Sequence, residues 1–186
     1  MRVTGGALSG RILKGPSSAA VRPTSDRLRG AIFNVLAHAY DDAAKRARVL
    51  DLFAGTGALG IEALSRGADF ALFVDDSAEG RALVRENIEA LGLGGVSKLF
   101  RRDATKLGPM PPQDPFTLVF LDPPYARGLG DKALISLQGG GWLANDALLI
   151  LEESAEAEII LPPGFRLIEK RDYGETQVQI MTAAAA

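Results

Sequence analysis

The segment that most limits how this chain can fold is Asp51-Leu52-Phe53-Ala54-Gly55-Thr56-Gly57-Ala58-Leu59-Gly60. A short apolar run over residues 49–53 leads into closely spaced glycines and then into a helical pattern through Leu64, with Gly67 placed to end it. Glycines at a strand-to-helix turn accept backbone angles closed to other residues, so the helix can fold back onto its strand. The pattern then repeats. Residues 70–74 read as a strand, 78–91 as a helix with Leu83, Val84, Ile88 and Leu91 on one side, and 96–101 as a strand again. Residues 116–121 form the most strand-like run. A short helix near 132–137, a strand over 147–151 and two closing strands over 165–170 and 176–181 follow, the last pair joined as an antiparallel hairpin by Asp172-Tyr173-Gly174. Strands alternating with helices define an α/β fold with a mostly parallel sheet covered on both faces.

Ahead of this core, residues 2–13 read as a hairpin around Gly5-Gly6 and Gly10. Thr24-Ser25-Asp26 supplies capping chemistry for a helix whose apolar positions are Leu28, Ile32, Val35, Leu36 and Ala39. His38 near the end of that helix and Trp142 read as structural. A length of 186 residues suits one domain, and 47% apolar with 24% charged residues excludes a disordered or coiled-coil chain. No apolar run approaches the roughly 18 residues of a membrane span, and the first residues lack the apolar centre of a signal peptide. The expectation is a cytoplasmic protein with no membrane partner. With no cysteine and one histidine, no thiolate or histidine metal cluster is expected.

The formal net charge of −2 argues mildly against a nucleic-acid partner, but its distribution reverses that reading. Residues 1–50 carry nine Lys/Arg against three acids, a balance of +6, while the remainder carries −8. One end of the chain is therefore suited to a polyanion.

The glycine turn contains a GxGxxG, with Asp75 20 residues after its first glycine. Alone this fits a dinucleotide site, the acid accepting from ribose hydroxyls. Asp51, directly before the glycines, would repel a pyrophosphate, whereas the sulfonium and ammonium of S-adenosylmethionine would be attracted. The cofactor candidates are Asp51, Phe53, Ala54, Gly55 and Gly57 from the turn, Asp75 or Asp76 for the ribose, and Asp103 with Ala104 for the adenine amino group. A nicotinamide oxidoreductase is the reading that Asp51 disfavours.

Asp122-Pro123-Pro124-Tyr125 closes the strongest strand, and two prolines there end the ladder in a rigid loop at the end where open α/β sheets bind ligands. These four residues suit methyl transfer to an exocyclic amino group. Such a nitrogen has its lone pair delocalised into the ring, so acceptors must hold its hydrogens while it attacks. Asp122 and a carbonyl beside Pro123 are the acceptor candidates, and Tyr125 could stack on a base removed from its helix.

With both motifs in order, the chain resembles the class I S-adenosylmethionine-dependent methyltransferases, and specifically the bacterial RsmD family, which methylates N2 of a guanine in 16S ribosomal RNA. The resemblance covers nearly the whole chain and includes Gly5-Gly6, Gly10-Arg11, Arg22-Pro23-Thr24-Ser25-Asp26-Arg27-Leu28-Arg29, both motifs above and Gly141-Trp142-Leu143. It implies a Rossmann-like seven-stranded sheet with an antiparallel last strand. Together with the hairpin, its basic charge and the terminal alanine run, the expected organisation is a basic hairpin extension over 1–22, a methyltransferase domain over 23–182 and a tail over 183–186. Arg2, Arg11, Lys14, Arg22, Thr24, Arg27 and Arg29 become candidates for RNA contact. The expected partner is 16S rRNA in the small subunit or an assembly intermediate, met by a monomeric enzyme. This family commonly has glutamate where Asp75 stands and often phenylalanine where Tyr125 stands. An adenine-N6 methyltransferase, which needs the same acceptor geometry, is the alternative, and a non-catalytic RNA-binding module a further one.

Overall fold

The computed structural model describes residues 1–18 and 23–184. Helix α1 (Asp26–Ala39) begins at Ser25, whose hydroxyl accepts from the Leu28 N–H and so satisfies one of the free donors of the first turn. Strand β1 (Arg48–Leu52), helix α2 (Ala58–Ser65), strand β2 (Phe70–Val74), helix α3 (Ala78–Leu91) and strand β3 (Ser97–Phe100) follow in the order read from the sequence. Strand β4 (Phe116–Leu121), helix α4 (Leu129–Gly139) and strands β5 (Leu143–Ser154), β6 (Phe165–Tyr173) and β7 (Thr176–Ala183) complete the chain.

The seven strands form one sheet in the order β3-β2-β1-β4-β5-β7-β6. β1 to β5 are mutually parallel where they pair, and β7 runs antiparallel to both β5 and β6. Strand periodicity distributes the side chains over two faces. Val49, Ala71, Phe73, Leu118 and Phe120 join one core with α1, α2 and α3 through residues such as Ile32, Phe33, Leu36 and Ile61. Leu50, Leu52, Leu72, Val74, Val119 and Leu121 join a second core with Ala133, Leu134 and Leu137 of α4. Trp142 is fully buried in the second core, stacked on Phe116 and donating its indole N–H to the Gly108 carbonyl at 2.8 Å.

The structure departs from the sequence reading at three places. The opening segment forms one antiparallel bridge, Arg2 with Ile12, rather than two strands. Its turn is pressed onto α2 instead: the Ala7 N–H donates to the Ser65 carbonyl, and the Ser65 hydroxyl donates to the Gly5 carbonyl. Gly6, at φ +78°, lies so close that an added Cβ would stand 2.0 Å from the Ser65 carbonyl oxygen. Strand β5 begins earlier than its apolar run, because Asp146 at φ 58° and a register shift against β4 carry the pairing back to Leu143. Ala183 is the last residue of β7 and buried, not part of a tail.

Candidate active site

β1 lies between β2 and β4, so the chain crosses over in opposite directions from its carboxyl end and leaves a crevice there. The crevice is a cavity of about 390 Å³, within the range that takes a cofactor-sized ligand. Among the described residues, seven carboxyl groups line it (those of Asp51, Asp75, Asp76, Glu79, Asp103, Asp122 and Glu152) against one guanidinium, that of Arg102.

On the glycine side, Phe53 and Gly55 take positive φ (56° and 58°), which swings the chain from β1 over the crevice. Phe53, Ala54 and Gly55 line the cavity; Gly57 does not, and instead caps α2 at φ +79°. Asp51, 1% exposed, accepts from the Gly60 N–H at 2.9 Å in the first turn of α2. Burial raises its carboxyl to about 8, against the opposing pull of that hydrogen bond. Asp75, beyond the end of β2, accepts from the Gly55 N–H at 2.8 Å and from the Ser77 N–H and hydroxyl at 2.8 and 2.7 Å. Asp76 also lines the cavity and is exposed. Asp103 caps the short turn over Ala104–Lys106, accepting from the Thr105 hydroxyl and N–H, which hold its carboxyl below the ordinary range. Ala104 is buried against the crevice.

On the acceptor side, Asp122, Pro123, Pro124 and Tyr125 line the same cavity from the end of β4. The Thr24 hydroxyl lies 2.8 Å from Asp122 Oδ2 and 3.1 Å from Glu152 Oε2. The Tyr125 hydroxyl donates to Glu152 Oε1 at 2.7 Å and lies 3.0 Å from the Thr176 hydroxyl. Burial and the neighbouring Glu152 raise the Asp122 carboxyl well above the usual carboxylate range. Burial likewise raises the Tyr125 phenol, with Glu152 adding to it. Glu152 and Thr176 were invisible as site residues in the sequence; the only trace of the former is an acidic pair, Glu152-Glu153, ending the apolar run of β5.

The amino-terminal candidates separate. Arg2, Arg11, Lys14 and Arg27 are exposed; Arg11 donates to the Ala90 carbonyl and Lys14 pairs with Glu86. Arg22 lies outside the described residues. Arg29 is corrected: it is 0% exposed, pairing with Glu62 at 3.4 Å and Asp26 at 2.9 Å and donating to the Thr24 and Arg2 carbonyls. A guanidinium with all this internal bonding and no surface cannot reach a phosphate. Thr24, expected with Arg22 and Pro23 beside the active site, lines the cavity, buried with its hydroxyl between two carboxyls.

The acid-lined crevice fits S-adenosylmethionine, a cation with ribose hydroxyls, and does not suit a pyrophosphate. Glu79 Oε1, buried in a cavity-lining residue and without a hydrogen-bond partner among the described residues, is one further acceptor. Fold and site together define a class I S-adenosylmethionine-dependent methyltransferase. The family described as "Conserved hypothetical protein 95" matches residues 1–182, and the chain belongs to this family, that of RsmD. It is 39% identical over 182 residues to ribosomal RNA small subunit methyltransferase D of Escherichia coli K12, covering 97% of this chain and 88% of that protein. It is 34% identical over 183 residues to the putative rRNA methyltransferase YlbH of Bacillus subtilis, covering 97% of both. The solved structure of the putative methyltransferase yhhF of Escherichia coli superposes with a TM-score of 0.84 at 31% identity, covering 100% of this chain and 99% of that one.

Proposed function

We propose that the protein transfers a methyl group from S-adenosylmethionine to the exocyclic N2 amino group of a guanine in 16S rRNA, as a cytoplasmic monomer acting on the small subunit or its assembly intermediate. The observation that carries this reading is Asp122 at the end of β4, held by Thr24 in the same crevice as the glycine turn. When bound, the cofactor supplies an electrophilic methyl group. Asp51 would face its positive charge, Asp75 its ribose and Asp103 its adenine, with residues 53–55 as the backbone floor. A carboxylate offers only acceptors, and guanine presents two adjacent donors, N1–H and N2–H, where adenine presents one donor beside an acceptor. Asp122 therefore favours the guanine edge. The Tyr125 ring, anchored through its hydroxyl, supplies a stacking surface for the flipped base, worth about 1–3 kcal/mol.

Mass mapping of rRNA after incubation of small subunits with the protein and labelled cofactor is expected to find N2-methylguanosine; N6-methyladenosine would replace this reading by the adenine one. Two further expectations concern the binding sites. Asp51 has its carboxyl raised to about 8, and a cationic ligand favours its charged form, so binding releases a proton below that value. Affinity for S-adenosylmethionine should therefore rise with pH from about 6 to 8, by at most about tenfold per unit, and level off above. Isothermal titration in buffers of different ionisation enthalpy checks this, and Asp51→Asn should flatten the profile. Arg11 and Arg27 are exposed and proposed to meet phosphates. Replacing both by alanine should reduce the slope of log affinity against log salt by about 1.4, at roughly 0.7 per single-strand contact. An unchanged slope in filter-binding titrations would place the RNA elsewhere.

A further inference from the structure

Two neighbouring carboxyls at the end of β5 hold two neighbouring residues of the acceptor loop. Glu152 lines the crevice and accepts from the Tyr125 hydroxyl, while Glu153, the next residue of the strand, lines a second cavity behind the loop. Glu153 is 4% exposed, and its Oε1 accepts from the Ala126 N–H at 3.0 Å and from the Ser154 N–H at 2.8 Å. The second of these bonds, to its own neighbour, fixes the direction of the carboxyl. Ala126 follows Tyr125 and takes φ 59°, in the left-handed region that an alanine side chain disfavours. Its methyl group is exposed, so burial does not offset that conformation. The hydrogen bond to Glu153 does. The second cavity, of about 270 Å³, is lined by Ala126, Gly128 and Glu153 and gives the loop room to move away from the crevice once this bond is broken.

We propose that Glu153 is a positioning residue for base capture: by holding the Ala126 N–H it fixes the peptide that joins Tyr125 to Ala126, and with it the backbone from which the Tyr125 ring reaches the crevice. This rests on the reading of Tyr125 as the surface on which the flipped base stacks. The peptide is planar, so a donor fixed at Ala126 fixes the Tyr125 carbonyl carbon as well. The ring then has two supports on β5, its hydroxyl at Glu152 and its backbone at Glu153. Other contacts of the ring or its hydroxyl add to the first support and leave the second as it is. A ring held at the hydroxyl alone can swing about that point, whereas one held at both ends keeps a single plane. Where the loop is in place in only a fraction of the molecules, base capture weakens by that fraction. Glu153 does not line the crevice, so cofactor affinity does not depend on it.

Glu153→Ala and Glu153→Gln both remove the negative charge that opposes ionisation of Asp122, but only glutamine keeps an oxygen for the Ala126 N–H, so their difference isolates the hydrogen bond. With purified small subunits as substrate, kcat/KM of Glu153→Ala is expected about tenfold or more below wild type, and that of Glu153→Gln within about threefold of it. The Kd of S-adenosylhomocysteine should stay within about twofold in both. Glycine adopts the left-handed conformation freely, so Ala126→Gly in the Glu153→Ala background should recover about fivefold or more. A merely structural loss would not be repaired at a second, exposed position. Hydrogen exchange of ligand-free protein tests the anchor without any substrate: the Ala126 amide should exchange about tenfold or more slowly in wild type than in Glu153→Ala. Equal exchange rates overturn the anchor. A glutamine variant as slow as the alanine one, no recovery with Ala126→Gly, or a parallel loss of cofactor affinity overturns the positioning role. Absence of methylation by wild type would instead overturn the methyl-transfer reading, with the exchange rates still deciding the anchor.

Discussion

Asp122→Ala is expected to lower kcat by about 10²–10⁴-fold, the usual contribution of a positioned proton acceptor, while the Kd of S-adenosylhomocysteine stays within a few-fold of wild type. The two effects separate because the residue stands at the end of β4, beyond the strand whose turn carries the cofactor candidates. In the proposed reaction, removing the carboxylate leaves the amine without that acceptor for its hydrogens, and leaves the Thr24 hydroxyl with Glu152 as its remaining partner among the described residues. It also removes one member of a mutually repelling pair, so the melting temperature should not fall and can rise. Single-turnover kinetics with saturating cofactor, beside calorimetry of the product, give both numbers. Equal losses in kcat and cofactor affinity would mean that Asp122 belongs to the cofactor site instead.

Glu62→Ala is expected to be the most damaging substitution for stability. The Glu62 carboxylate, fully buried, receives the guanidinium groups of Arg29 and Arg66, the Thr4 N–H and the Thr4 hydroxyl. Its removal strands Arg29 in the interior with Asp26 as its one remaining acid. Breaking a buried pair in this way costs about 3–5 kcal/mol, which for a chain of this length lowers Tm by about 6–20 °C. The double variant Arg29→Met/Glu62→Leu should recover more than half of that loss, since an apolar pair of similar volume carries no buried charge. Thermal denaturation of the three variants decides it. A double variant no better than Glu62→Ala would mean that the hydrogen bonds to Thr4, not the charge, carry the stability.

These two residues also show where sequence reading stops. Strands β1, β2 and β4 and helix α3 were legible within a residue, because each is a short periodic run bounded by glycines, a capping serine or prolines. Five acids of the crevice, Asp51, Asp75, Asp76, Asp103 and Asp122, were legible for the same reason, standing just at or past strand ends, whereas Glu79 on α3 and Glu152 were not. Arg29 was misread because an arginine inside a basic run resembles its neighbours, and what buries it is a carboxylate 33 residues away. Thr24 and Glu152 are 128 residues apart, and Thr24 and Asp122 are 98 apart. No local pattern encodes contacts across such distances; they exist only after the sheet has assembled. The early start of β5 was missed because a positive-φ aspartate mid-strand looks like a turn when read along the chain.

The antiparallel placement of β7 carries a consequence for the order of synthesis. This strand enters the sheet between β5 and β6, and its first residue, Thr176, contacts the Tyr125 hydroxyl. Of the seven strands it is translated last, and until it emerges β5 has an open edge and Tyr125 has no Thr176 to hold it. A nascent chain can thus complete its glycine turn early, while the loop that carries Tyr125 waits for β7. The two sides of the crevice are therefore completed at different stages of folding, the glycine side by strands that emerge first and the Tyr125 side only when β7 has joined the sheet.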